Sequence, residues 1–150
     1  MRIASPLRGI SLLKVIILVL LAFLAPIALA QNKFKPSADS RQTARGQYIV
    51  DHVAMCIQCH TPRDEKGELR MTEYLLGAPV PVNAPPFPNM DWAIKAPAIA
   101  GLTGYTEEQA MRLLMEGVTD KGRAPSPPMP PFRMNRADAE AVVVYLRSLR

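Results

Sequence analysis

The pentapeptide Cys56-Ile57-Gln58-Cys59-His60 holds the only two cysteines of the chain and one of its two histidines. On a helical turn, the residues three and four positions on return to the face of the first. Cys56, Cys59 and His60 can therefore address one flat object together. Two thiols at this spacing can each add to a vinyl group of a single haem, and the adjacent imidazole can then swing a nitrogen onto the iron. C-x-x-C-H is the pattern of c-type haem attachment. A zinc site wants four ligands, usually from two such pairs, and no further cysteine exists. His52, one turn earlier, reads as a structural or surface histidine. A thioredoxin-like redox pair wants a βαβ setting, and no strand-like alternation accompanies this motif.

An iron held by His60 leaves its opposite face to fill. His52 sits on the same helix and is too close to reach around. A thioether is the natural donor, and His/Met ligation raises the reduction potential relative to harder ligands. Met55 is pinned beside Cys56, while Met111 and Met115 share a helix where methionine commonly fills a core. Met129 stands alone inside Pro127-Pro128-Met129-Pro130-Pro131. Prolines pre-set the backbone there, so less entropy is lost when the loop is ordered against a ligand. The competing reading is that Met129 only packs in a rigid loop. Met134 is then the main substitute and Met90 a more distant one.

Three helices are expected to position these groups. The first runs from about Thr43 to Cys59, with Tyr48, Ile49, His52, Val53 and Cys56 marking one face. The second starts at Thr106, where Thr106 and Gln109 have capping-box spacing and Glu107 and Glu108 suit the positive end of the helix dipole. Ala110, Leu113 and Leu114 give it an apolar stripe, and Gly117 is its stop. The third runs from about Arg136 to Leu149 with Asn135 as cap, burying Val142, Tyr145, Leu146 and Leu149. Pro79, Pro81, Pro85, Pro86, Pro88 and Pro97 exclude a long helix or a central strand over 77–101. That segment is longer than an ordinary loop, which points to a functional role in wrapping something. Three helices and two proline-rich connectors are little secondary structure for such a chain, so a bound group is expected to complete the core.

The 150 residues suffice for one ordinary domain. Apolar residues make up 49% and charged residues 21%, which excludes a disordered polyelectrolyte and a multi-span membrane protein. The 18 basic and 13 acidic side chains leave a surplus of +5. Arg2, Arg8 and Lys14 lie within the first 30 residues and no acid does, so the surplus without that stretch is only +2. A nucleic-acid partner therefore loses its main support. Residues 15–32 carry no charge, Pro26 breaks the apolar run, and Ala28-Leu29-Ala30 supplies small residues ahead of Gln31. Residues 1–30 read as a signal peptide, with an uncleaved membrane anchor over residues 10–30 as the competitor. Either way the remainder is exported to the periplasm or beyond, possible tether included. Residues 31–42 read as a flexible lead-in and 43–150 as the domain.

On these residues the chain resembles the monohaem, class I-like cytochrome c family over nearly all of 43–149. The matching parts are Gly46-Gln47-Tyr48 ahead of Cys56–His60, the Thr106 helix ending at Gly117, Met129-Pro130 in a connector, and the ending Tyr145-Leu146-Arg147-Ser148-Leu149. The resemblance implies an all-α, cytochrome c-like fold wrapped around one covalent haem c per chain. First and last helices would cross, with Gly46 permitting close approach near Tyr145. It further implies His60 and Met129 as axial ligands, a proline carbonyl (Pro97 here) accepting from the proximal histidine, and one-electron transfer to redox partner proteins in place of catalysis. The longer segment 61–104 resembles cytochrome subunits that accept electrons from periplasmic dehydrogenases. Within it, Trp92 either donates its indole N–H to a haem propionate or packs as a large aromatic. Lys121 and Arg123 form either part of a docking patch or a solvated basic turn. Two other functions stay open: a five-coordinate haem sensor or peroxidase-like protein in which Met129 does not bind, and a cytochrome subunit of a larger periplasmic dehydrogenase complex.

Overall fold

The computed structural model describes residues 37–149. The leader or anchor expected over 1–30 and the first part of the lead-in lie outside the described residues. Among the described residues, no helix is long and apolar enough to cross a membrane.

Helix α1 spans Ala38–Tyr48. It begins inside the stretch expected as a lead-in and five residues before the expected start. Asp39 occupies its first turn, where a carboxylate suits the positive end of the dipole, and Thr43 Oγ1 donates to Asp39 O at 2.9 Å. The expected continuous helix to Cys59 does not form. At Ile49–Val53 the backbone widens into a π turn, closed by Ala54 N–H donating to Ile49 O at 2.7 Å. Met55 then takes φ +52°, in the left-handed region, and ends the run. The short helix α2, Ile57–His60, follows with Cys56 as its N-cap residue. Gly46, Ile49 and Val50 share a buried face while Tyr48 lies off it at 52% exposed, and at the end of the wider turn Val53 is 59% exposed. The stripe expected through Tyr48, His52 and Val53 is corrected accordingly.

The other two main helices follow their sequence signals. Helix α3, Glu107–Glu116, has the full capping box: Thr106 Oγ1 accepts from Gln109 N–H and Gln109 Oε1 accepts from Thr106 N–H. It stops at Gly117, whose φ of 63° lets its N–H return to Leu113 O. Helix α4, Arg136–Ser148, is capped by Asn135, whose side-chain oxygen accepts from Asp138 N–H at 2.9 Å. Between α2 and α3, a two-residue antiparallel ladder pairs β1 (Ala78–Pro79) with β2 (Lys95–Ala96). It is too short to show alternation in sequence.

Helix α4 packs against α1, α3 and the turn at Ala100–Leu102, and its Val142, Val143, Tyr145 and Leu146 join Ile49, Val50, Leu102, Ala110 and Leu114 in one core. The α1–α4 crossing is close: a Cβ on Gly46 would lie 2.0 Å from Ala141 O and 2.7 Å from Tyr145 Cβ. Only glycine fits there, as the sequence resemblance implied. Beside it, Arg45 Nε donates to Asp138 Oδ1 at 2.9 Å. The described residues form the mostly helical, all-α architecture expected, with the proline-rich segments laid along it.

Candidate functional site

The attachment motif is built on α2. His60 N–H donates to Cys56 O at 2.9 Å, which is the i to i+4 closure that gathers Cys56, Cys59 and His60 on one side. All three line a cavity of about 310 Å³. Leu113 and Leu114 of α3 and Val142 and Leu146 of α4 wall it, together with Ile99 and Tyr105. The wrapping segment contributes Val80, Ala93, Lys95 and Pro97, so its length serves the cavity.

Met129 and its neighbours Pro128 and Pro130 line the same cavity. Met134 lies outside that lining. It packs half-buried against the core, and its N–H donates to Leu114 O at 3.0 Å. Met111 and Met115 also pack against the core, while Met71 and Met90 are 58% and 41% exposed. Met55 borders the cavity but is tied to Cys56 by the chain.

His60 is buried, and its Nδ1 lies 2.7 Å from Pro97 O. A carbonyl only accepts, so Nδ1 carries the proton and Nε2 keeps its lone pair. Burial pushes the imidazole pKa down, against the opposing effect of the Pro97 carbonyl, which favours the neutral form that binds a metal. Burial likewise pushes the Cys56 thiol up to about 11, with the Asp51 carboxylate adding to the rise. A disulfide-exchange nucleophile has its thiol pKa lowered. The shift at Cys56 runs the opposite way, which speaks against a redox pair. Among the described residues, no group of three or more His, Cys, Asp or Glu side chains converges to hold a metal ion. His52 is exposed, its ring 5.7 Å from that of Tyr48. Two thiols, one imidazole with a free lone pair and one thioether, set in apolar walls, fit a flat apolar macrocycle with a metal at its centre.

Trp92 is half-buried and donates its indole N–H to Val82 O at 3.3 Å within the wrapping segment. Lys121 and Arg123 are exposed on a turn closed by Thr119, whose N–H and Oγ1 both donate to Arg123 O. Tyr105 and Ile99 carry no sequence signal for a place at the cavity, since neither belongs to a periodic run. The network joining Asp51, Tyr74 and Tyr145 was equally invisible: Tyr74 Oη donates to the Asp51 carboxylate and accepts from Tyr145 Oη at 3.0 Å.

Residues 43–150 match the family model described as "Cytochrome c". The chain is 32% identical over 111 residues to the fructose dehydrogenase cytochrome subunit of Gluconobacter japonicus, covering 70% of this chain and 21% of that protein. It is 30% identical over 132 residues to a nicotinate dehydrogenase subunit of Pseudomonas putida, covering 81% of this chain and 10% of that protein. It thus spans about a fifth and a tenth of the lengths of these relatives.

Proposed function

The chain belongs to the cytochrome c family, and from that premise we propose that it is a one-electron carrier holding a single haem through Cys56 and Cys59, with His60 and Met129 as the axial ligands. A cytochrome c domain implies covalently attached haem c. The observation that carries the residue assignment is the convergence of these four side chains on one apolar cavity.

When bound, the haem supplies a one-electron couple at its iron. The chain's own residues do the rest. Cys56 and Cys59 anchor the group through thioether bonds. The Pro97 carbonyl fixes the His60 ring and raises its basicity. The prolines around Met129 limit the backbone freedom that ligation would otherwise remove. Leu113, Leu114, Val142 and Leu146 exclude water, and a dry apolar setting disfavours extra positive charge. The thioether and these walls both raise the potential. If His60 and Met129 both hold the metal, no position would be left for a substrate, which supports a carrier over a catalyst. The five-coordinate reading, a sensor or peroxidase-like protein, needs Met129 to stay off the metal, and its place in the lining speaks against that.

The names of the relatives point to a dehydrogenase as the electron donor, with this chain as its cytochrome subunit or soluble acceptor. The leader read over residues 1–30 favours exchange in the periplasm or at the outer face of the membrane. Spectroscopy of the matured protein tests the ligand set. The ferric form is expected to show the sulfur-to-iron charge-transfer band in the red, and the ferrous form to leave carbon monoxide unbound. Ready carbon monoxide binding by the resting ferrous protein would overturn His/Met ligation.

A further inference from the structure

Thr61 follows His60 directly and is 1% exposed. A hydroxyl that deep in the core needs a partner, and its Oγ1 accepts from Leu75 N–H at 3.0 Å. Leu75 is itself fully buried and holds φ +58°, a left-handed conformation that a leucine keeps only when its surroundings over-determine it. Its carbonyl accepts from Ile99 N–H at 2.9 Å and Ala100 N–H at 3.2 Å. Two residues on, Gly77 N–H donates to His60 O at 2.8 Å. Gly77 has φ +86°, and a Cβ there would come within 2.9 Å of the Pro97 carbonyl carbon and 2.8 Å of Ala98 N.

These contacts form a closed circuit. From His60 the chain leads to Thr61, whose hydroxyl holds Leu75. Leu75 holds the backbone at Ile99, two residues beyond Pro97, and the Pro97 carbonyl returns to His60 Nδ1. Gly77 lies against the Pro97 peptide while its N–H holds the His60 carbonyl. The aim of the Pro97 carbonyl thus depends on how this backbone is held.

We propose that Thr61 and Gly77 are positioning residues that, through the bracket Leu75–Gly77, set the Pro97 carbonyl on the His60 imidazole and thereby tune the His60 ligand. The inference rests on His60 as an axial ligand. Thr61→Val keeps the shape and removes the acceptor, so the buried Leu75 N–H loses its partner and the bracket must shift. Gly77→Ala drives a methyl into the Pro97 peptide. Either change weakens the bond to Nδ1–H, makes the imidazole a poorer electron donor and raises the reduction potential.

The test uses the haem-loaded protein and its variants, reading the midpoint potential by voltammetry and the exchange rate of the His60 Nδ1 proton by NMR in the ferrous state. Thr61→Val is expected to raise the potential and to speed exchange about tenfold, the weight of one buried hydrogen bond. Thr61→Ser restores the parent values. Val143→Ala, a core change outside the cavity lining, lowers the melting temperature while moving neither readout. If Thr61→Val does not accumulate as a haem protein, Gly77→Ala reads the same bracket from its other end. A Thr61→Val or Gly77→Ala protein that melts early yet keeps the parent potential and exchange rate would overturn the positioning role. A parent lacking the shifted ring signals of an iron-bound imidazole would instead overturn the ligand assignment, and the inference with it.

Discussion

At Met129 a single sulfur atom separates a ligand from a piece of wall. Met129→Ala is expected to abolish the red charge-transfer band, lower the potential and open the ferrous form to carbon monoxide, because the open position then falls to water or an added ligand. Met134→Ala is expected to leave all three readings at their parent values, since Met134 packs on the core outside the cavity lining. The opposite pattern, measured by visible spectroscopy and voltammetry, would move the distal role to Met134. At this scale the sequence was most legible where chemistry demands a fixed spacing, as in Cys56–His60, or where residues of one type crowd a single side chain, as the prolines do at Met129. Thr61 and Leu75 were not legible. Their hydrogen bond joins residues 14 positions apart, and no local pattern marks a threonine whose hydroxyl must accept in a core.

Among the elements, the crossing of α1 and α4 bears most directly on stability. Gly46→Ala puts a methyl 2.0 Å from a carbonyl oxygen of α4, and backbone cannot yield as a flexible side chain would. The helices must separate, at a cost of about 3 kcal/mol by the usual range for overpacked cores. Denaturant unfolding checks this, and an unchanged midpoint would show that the helices do not need this contact. Helices α3 and α4 were readable to within a residue or two because Thr106, Gln109, Gly117 and Asn135 satisfy backbone groups that every helix end exposes. The break between α1 and α2 was not. Its π turn adds one residue to a hydrogen-bonded loop, which leaves the apolar residues near helical spacing while His52 and Val53 lie outward. Alternation and capping signals have no counterpart for such a turn.

For the molecule as a whole, the irregular share of the chain is what encloses the cavity. Residues from the ladder, the wrapping segment, the Met129 connector, α3 and α4 all contribute to one lining, so much of their apolar surface faces the cavity. The long proline-rich connectors between the helices are what pointed, in the sequence, to a group that completes the core. The central claim is that Cys56 and Cys59 join this group to the chain covalently. The most direct measurement is intact mass of the matured, exported protein alongside a denaturing gel stained for haem peroxidase activity. The account predicts a stained band, a mass raised by one haem, and two cysteines that resist alkylation after denaturation. A colourless chain of unmodified mass, with both thiols free to alkylate, would contradict it.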